Sequence, residues 1–134
     1  MKKKTRVLLI ISLIVLACVL GSLIALQKIQ KNLNDLKALR IEDIPLEKVA
    51  DGVYIGEYGV FPVMAQVEVI VKDHAIEIAL IWNHQNGQGS AGEAVVEKAA
   101  QLDSLQVDVV AGATYSSKVL LKAMENALRQ GLAP

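Results

Sequence analysis

The chain is poor in the residues that build disulfides and zinc clusters. Its 134 residues include one cysteine and two histidines. A single cysteine cannot form a disulfide within the chain, and a Cys/His zinc site needs more ligands than these three residues supply. The sequence therefore predicts neither an internal disulfide nor a bound metal.

Positive charge becomes scarce after residue 40. Residues 41–134 hold six Lys and Arg against thirteen Asp and Glu, whereas residues 1–40 hold eight against Asp35 alone. An acidic surface repels phosphate backbones instead of releasing their counterions. This imbalance excludes nucleic acid as a partner.

Charge is absent altogether from Val7 to Leu26, VLLIISLIVLACVLGSLIAL. As a helix, a segment of this length rises about 30 Å, the thickness of the bilayer hydrocarbon. A buried core helix is the alternative, but helices of soluble proteins normally keep a polar face. We predict a transmembrane helix over residues 7–26, with the lipid bilayer as its partner.

The flanks of this segment predict its orientation. Residues 1–6, MKKKTR, form a basic tail, and cytoplasmic loops are enriched in Lys and Arg. We expect a single-pass protein of the cell membrane with a cytoplasmic N-terminus and an extracytoplasmic C-terminal domain. A cleaved signal peptide and a lipoprotein site at Cys18 are alternatives. The length of the apolar run and the apolar residues after Cys18 disfavour both.

Residues 27–45 are predicted to form a stalk. Ile29, Leu33 and Leu36 recur at helical intervals, which indicates that the membrane helix continues over residues 27–40. Pro45 marks the entry to a folded unit. Residues 46–134 suffice for one small hydrophobic core, so we predict one domain there.

Three strands open this domain. GVYIGEYG (52–59) is bracketed by glycines, and AQVEVIVK (65–72) alternates apolar and charged residues as a half-buried strand does. AIEIALIW (75–82) places Ile76, Ile78 and Leu80 on one face. The short Lys72-Asp73-His74 connection predicts a tight hairpin and hence an antiparallel meander.

Two helices follow. Ser90 and Glu93 have the spacing of a capping box, which predicts a helix start there. LQVDVV (105–110) is typical of another short strand, and SSKVLLKAMENALRQG (116–131) of an amphipathic helix closed by Gly131. The predicted fold class is α+β, a small antiparallel sheet with two main helices, preceded by one N-terminal transmembrane helix. Lys118, Lys122, Glu125 and Arg129 are expected on the polar side of the last helix.

The segment DVVAGATYSS, residues 108–117, joins the last predicted strand to the last helix. Gly112 between two alanines makes a lean turn that a bulky ligand or an enzyme can approach closely. The hydroxyls of Thr114, Ser116 and Ser117 stand where a helix begins and can cap its free N–H groups. The same N–H groups and the helix dipole favour a phosphate. The residues themselves leave both interpretations open.

DVVAGATYSSKVLLKAMENAL resembles the signature of the FMN-binding domain family. This domain occurs in the sodium-translocating NADH:quinone reductase, in the Rnf complex and in small membrane-anchored flavoproteins. DGVYIGEYG and AQVEVIVKDHAIEIALI are similar to the opening strand and hairpin of the family, and NHQNGQG resembles its loop. The resemblance covers about Asp51 to Leu128.

The resemblance implies FMN as a covalent cofactor. In the family, a Mg-dependent flavin transferase uses FAD to link FMN through its phosphate to the motif threonine, here Thr114. Asp108 and the dipeptide Gly112-Ala113 match the recognised pattern. Ala111 departs from it, because the family usually has Ser or Thr there.

Further residues are predicted around the flavin. His84 in the NHQNGQG loop can offer the ring a hydrogen bond or a proton, and Tyr115 can flank the ring. Ser116 and Ser117 support the phosphate end at the helix start. Trp82 either stacks on the flavin or, as we favour, packs in the core. Lys118 and Lys122 either neutralise the phosphate or line a solvated helix face.

These features predict a membrane-anchored electron carrier instead of a stand-alone catalyst, since no catalytic acid–base pair is evident. Besides the flavin transferase, its expected partners are a membrane NADH or quinol oxidoreductase and an extracytoplasmic electron acceptor. Membership of a larger redox complex is a variant of this hypothesis. The alternative from another class is a flavin-free, membrane-anchored interaction or ligand-binding module, which Ala111 favours.

Overall fold

The structure is a computed structural model that describes residues 2–85 and 89–134. The chain divides into two compact units, residues 1–32 and 33–134. One long helix, α1 (Lys3–Ala38), begins in the first unit and ends in the second.

Helix α1 contains the predicted span. By length and composition it can cross a membrane, and none of its most apolar stretch is buried within the chain. A core helix would normally be covered by the rest of the protein, so this exposure favours the predicted span. The predicted helical continuation is confirmed as far as Ala38. In the second unit, Leu36 is buried in the core and Leu33 packs against it.

The second unit contains the predicted antiparallel meander. Its strands are β1 (Gly52–Val60), β2 (Val63–Lys72) and β3 (Ala75–Gln85), hydrogen-bonded in that order. Asp73 and His74 form the two-residue turn between β2 and β3, with φ of 51° and 62°. Positive φ at both central residues is typical of the type I′ turns that suit the twist of a hairpin. The predicted tight hairpin is confirmed.

Two bulges in β3 change which of its side chains face the core. Val71 pairs with Ile76 but Ile70 pairs with Ile78, so Glu77 is an extra residue. Each bulge reverses the alternation of side chains along a strand. Ile76 is buried, whereas Ile78 and Leu80 are exposed. The prediction that these three residues share one face is wrong for this reason.

The second bulge lies at Trp82, since Val67 pairs with Ile81 and Gln66 with Asn83. Trp82 is 63% exposed. Our prediction that Trp82 packs in the core is therefore wrong. The same bulge returns His84 to the inner face, opposite the buried Ala65.

Two further helices cover the inner face of the sheet. A 3-10 turn (Ser90–Glu93) leads into α2 (Ala94–Leu102), and α3 (Thr114–Gln130) closes the domain. Helix α3 packs on β1 and β2, and α2 packs beside β3. The α+β class is confirmed. The predicted apolar stripes of α3 are also confirmed, because all their members are buried: Val119, Leu120, Ala123, Met124, Ala127 and Leu128.

Helix α3 approaches the backbone of β1 very closely. A methyl group on Gly56 would overlap the carbonyl oxygen of Ala123 and the amide nitrogen of Ala127. Glycine on the strand and alanines on the helix therefore allow this contact. At its C-terminal end the helix stops at Gly131, the predicted cap. A side chain on Gly131 would collide with Tyr54 and Val49.

No strand forms over residues 105–110, contrary to our prediction. Several backbone N–H groups of this segment donate to side chains instead of to a neighbouring strand. Leu105 donates to Asp43 Oδ1 at 2.9 Å and Val110 to Ser117 Oγ at 3.1 Å. Side-chain acceptors of this kind offer the backbone an alternative to a sheet ladder.

Glu125 is fully buried, although its spacing predicts the polar side of α3. Its carboxylate accepts hydrogen bonds from Lys122 Nζ at 2.8 Å, Arg129 Nε at 2.9 Å and the backbone N–H of Glu42 at 3.0 Å. Arg129 also pairs with the Glu42 carboxylate. Burial raises the pKa of Glu125, but these hydrogen bonds outweigh it, so the pKa lies below its ordinary value of 4.5.

Because the folded pKa of Glu125 is lowered, its contribution to stability is present above pH 4.5 and lost as the pH falls through the folded value. We expect Glu125→Gln to lower the free energy of unfolding by about 2 kcal/mol at pH 7, the scale of a charged hydrogen bond. The difference from the wild type should shrink below pH 4.5 in urea titrations of the full chain in detergent. Glu57→Gln, at an exposed carboxylate, is the control. A Glu125→Gln deficit that grows towards acid would contradict this account.

Candidate functional site

The loop before α3 folds into a tight turn over residues 110–113, named here the motif turn. The N–H of Ala113 donates to the carbonyl of Val110 at 3.0 Å. Gly112, the third residue of the turn, has φ of +78°. This is the φ of a type II turn, whose third position favours glycine. A side chain there would meet nothing within 4 Å. Glycine is therefore favoured at this position by its positive φ and not by a lack of space.

Ser117 ties the motif turn to the helix. Its hydroxyl accepts a hydrogen bond from the N–H of Val110, and its own N–H donates to the carbonyl of Ala113 at 2.9 Å. The Ser117 side chain is fully buried. Both ends of the turn are thus fixed to the first turn of α3.

The predicted hydroxyl caps of α3 are absent. The N-cap residue is Ala113, and no side chain caps it. Thr114 is already the first helical residue, and the Ser117 hydroxyl bonds backwards to Val110. A helix start without side-chain caps keeps backbone N–H groups and the positive end of its dipole available for an anion.

The three hydroxyls of the motif differ in exposure. Ser116 and Ser117 are buried, whereas Thr114 is partly exposed. Asp108, Ala111 and Gly112 are exposed beside it, and Ala113 is buried beneath. Residues 108–117 thus surround the motif turn, and of Thr114, Ser116 and Ser117 only Thr114 is more than marginally exposed.

Gly92 in the 3-10 turn packs against the start of α3. A methyl group there would lie 3.0 Å from Ser116 Cβ, 3.0 Å from the Ser117 nitrogen and 3.3 Å from the Ala113 oxygen. These separations are shorter than ordinary van der Waals contacts. Gly92 therefore lets the 3-10 turn seat directly on the first turn of α3. We did not single out Gly92 from the sequence, where it is one of several glycines.

His84 lies in β3 and not in a loop as predicted. Its side chain is 2% exposed, and Nδ1 lies 2.8 Å from Glu93 Oε1. Glu93 belongs to the 3-10 turn and makes no capping hydrogen bond, so the predicted capping box is wrong. Its carboxylate binds the imidazole instead. The remaining residues of the predicted loop, 86–88, lie outside the described residues.

The two lysines on α3 have partners in the protein. Lys118 Nζ donates to the carbonyls of Lys37 and Leu39, at 2.6 Å and 2.7 Å, next to the C-terminal end of α1. Lys122 binds Glu125. Neither lysine therefore lies on a freely solvated helix face. These hydrogen bonds also do not direct either side chain towards the motif turn. Tyr115 is partly buried and packs against the core.

Comparison with known proteins finds one family that includes this site. The family of the FMN-binding domain matches residues 61–129, slightly more than half of the chain. The chain belongs to this family. The match includes β2, β3, α2, the motif turn and nearly all of α3, whereas α1 and β1 lie outside it. No curated protein and no solved structure matches the chain.

Membership of the FMN-binding domain family makes this a flavin-binding protein with FMN as its cofactor. The residues of the motif turn fit a phosphate, since the helix start beside Thr114 has no side-chain cap and its surroundings are exposed. Thr114, Asp108 and Gly112-Ala113 all fall inside the matched segment.

Replacing Ser117 with Ala should loosen the motif turn. The substitution removes the acceptor for the Val110 N–H, and an unsatisfied, partly buried donor costs about 1–2 kcal/mol. We expect the free energy of unfolding to fall by that amount in urea titrations. Ser116→Ala is the matched control, because the Ser116 hydroxyl makes no hydrogen bond among the residues that the structure describes. Equal losses in both variants would show that the Ser117 bond does not hold the turn.

Proposed function

We propose that this protein is a membrane-anchored electron carrier with FMN attached through a phosphoester to the hydroxyl of Thr114. The observation that carries the proposal is the exposure of Thr114 beside two buried serines, at a helix start without side-chain caps. Membership of the FMN-binding domain family supports FMN as the cofactor.

The attachment needs an external enzyme, because an unmodified threonine hydroxyl is a poor nucleophile. A Mg-dependent flavin transferase would supply FAD. The Thr114 oxygen would form a bond to the FMN-side phosphorus as the bond from that phosphorus to the bridging oxygen breaks. AMP would leave with the bridging oxygen, and the hydroxyl proton would be released. Asp108, Gly112 and Ala113 would form the recognition surface of the transferase, and the exposure of Asp108 and Gly112 supports that role.

The start of α3 would hold the phosphate end of the flavin. Its free N–H groups and its dipole stabilise negative charge there. Ser117 would keep the motif turn in place, with the buried Ser116 beneath it. We assign His84 an indirect part, since its bond to Glu93 holds the 3-10 turn that packs on α3. Tyr115, next to Thr114 on the helix, is the neighbour best placed in sequence to flank the ring.

FMN supplies one- and two-electron redox chemistry, and the protein supplies its position and surroundings. A covalent link retains the cofactor without a binding equilibrium, which matters outside the cytoplasm, where a dissociated flavin is diluted away. The basic residues that precede the apolar run of α1 support an extracytoplasmic domain. Electrons would come from a membrane NADH or quinol oxidoreductase and pass to an extracytoplasmic acceptor.

The alternative function is a flavin-free, membrane-anchored interaction module. Ala111, where the family usually has a hydroxyl residue, is the observation that favours it. Because Ala111 is exposed at the motif turn, a serine there could contact a transferase without disturbing the core.

The first test is Thr114→Ala in cells that also produce a flavin transferase. We expect the covalently bound flavin, seen as fluorescence of the denatured protein in a gel and as added mass, to disappear. Thr114 makes no capping bond, so the free energy of unfolding should change by less than about 0.5 kcal/mol. Thr114→Ser keeps a hydroxyl and should retain flavin. Covalent flavin in Thr114→Ala would refute the acceptor assignment, and unmodified wild-type protein would favour the interaction module.

The second test restores the usual hydroxyl with Ala111→Ser. If that hydroxyl contributes one hydrogen bond to the transferase complex, about 1 kcal/mol, the initial rate of flavin incorporation should rise about five-fold. Val109→Thr adds a hydroxyl at an exposed position two residues away and should leave the rate unchanged. A rate unaffected by Ala111→Ser would show that the motif functions without this hydroxyl.

A further inference from the structure

The outer face of the sheet, opposite α2 and α3, carries two rows of cross-strand neighbours. Val53, Ile70 and Ile78 form one row, and Ile55, Glu68 and Leu80 form the next. The Glu77 bulge brings Ile78 and Leu80 into these rows. The outer apolar patch is defined here as Val53, Ile55, Ile70, Ile78, Leu80 and Trp82.

The patch is open to solvent. Val53 is 60% exposed, Leu80 49% and Trp82 63%. Scattered exposed apolar residues are ordinary, but adjacent ones on three strands form a contiguous surface of the kind that marks an interaction site. Trp is among the residues that contribute most to binding energy in protein interfaces.

Charge on this face identifies the kind of occupant. Glu68 lies between Ile55 and Leu80, in the middle of its row. Lys72 pairs with Glu77 at 3.8 Å, so the nearest lysine on the strand has its own partner. Among the residues that the structure describes, Glu68 forms no ion pair. The patch is thus apolar with a negative charge within it.

A second copy of the chain is a poor occupant. Two patches that meet about a two-fold axis through their centres would bring their Glu68 carboxylates together, and like charges are destabilising when desolvated. An anionic lipid surface is repelled by the same carboxylate and by the acidic domain. We propose that the outer apolar patch docks a partner protein whose contacting surface is apolar and carries a Lys or Arg side chain opposite Glu68.

The test is photo-crosslinking of the full chain in native membranes. A photoreactive amino acid replaces Leu80 in the patch or, as a control, Lys48, an exposed residue of the 46–48 turn that does not belong to the patch. Leu80 should give an adduct with another protein, and Lys48 should not. Glu68→Lys should lower the adduct yield about ten-fold, whereas Glu47→Lys, with the same change in net charge at an exposed site, should leave it unchanged.

Mass spectrometry then maps the crosslinked peptide of the partner. The proposal requires apolar residues and a Lys or Arg in it, and replacement of that basic residue with Glu should restore the adduct in Glu68→Lys. A homodimer adduct, a lipid adduct, no protein adduct, or an adduct unaffected by Glu68→Lys would each overturn the proposal. Flavin fluorescence of the same samples is measured separately. A failure of the proposed flavin attachment can therefore be distinguished from a failure of the proposed docking at the outer apolar patch.

Discussion

The close contact between α3 and the backbone of β1 at Gly56 determines most of what this domain presents to its surroundings. Because Ala123 and Ala127 rest directly on the strand, the helix cannot shift along or away from the sheet without losing that contact. Its first turn is therefore held at one place, and its last turn ends against Tyr54 and Val49. Both described helices that pack on this sheet do so on the same side, and the opposite side remains exposed.

Helix α3 also holds the last turn of α1 and the segment that follows it. Lys118 binds the carbonyls of Lys37 and Leu39, and Glu125 binds the N–H of Glu42. Asp43 continues this attachment by accepting the N–H of Leu105. Because of these bonds, residues 37–43 are part of the folded unit and do not form a free tether. The helix that starts at Thr114 is thus the common support of the motif turn and of this segment.

Much of the fold follows from patterns visible in the sequence. Val67, Val69 and Val71 alternate with polar residues, and the stripes of α3 recur every four residues, so the burial of these residues was predictable. The bulges at Glu77 and Trp82 were not, because a bulge inserts a residue without a local compositional signal. Ile78 and Leu80 look like core residues in the sequence, but the bulge at Glu77 turns them to the exposed face.

The candidate site was likewise predictable from the sequence only in part. Resemblance to the FMN-binding domain family predicts Thr114 and its neighbours as the site, but the relative exposure of Thr114, Ser116 and Ser117 cannot be read from the sequence. That exposure depends on tertiary contacts: Ser117 turns back to the Val110 N–H, and the 3-10 turn covers Ser116. Glu125 was missed for a related reason. A glutamate between Lys122 and Arg129 resembles an exposed helix face, and the tertiary contact with Glu42, whose N–H donates to it, has no signal in the sequence.

Rigidity and exposure are combined in one short segment at the motif turn. The proposed attachment at Thr114 requires both, because a flavin transferase would have to reach the hydroxyl from solvent and the attached flavin would have to stay in one position. Gly112, in the motif turn, and Asp108, before it, are exposed, whereas Ser117, in the first turn of α3 and five residues beyond Gly112, is buried. Thr114 stands between them, on a helix whose other face is core. A threonine placed deeper on α3 would be fixed but unreachable, and one placed earlier in the loop would be reachable but loosely held.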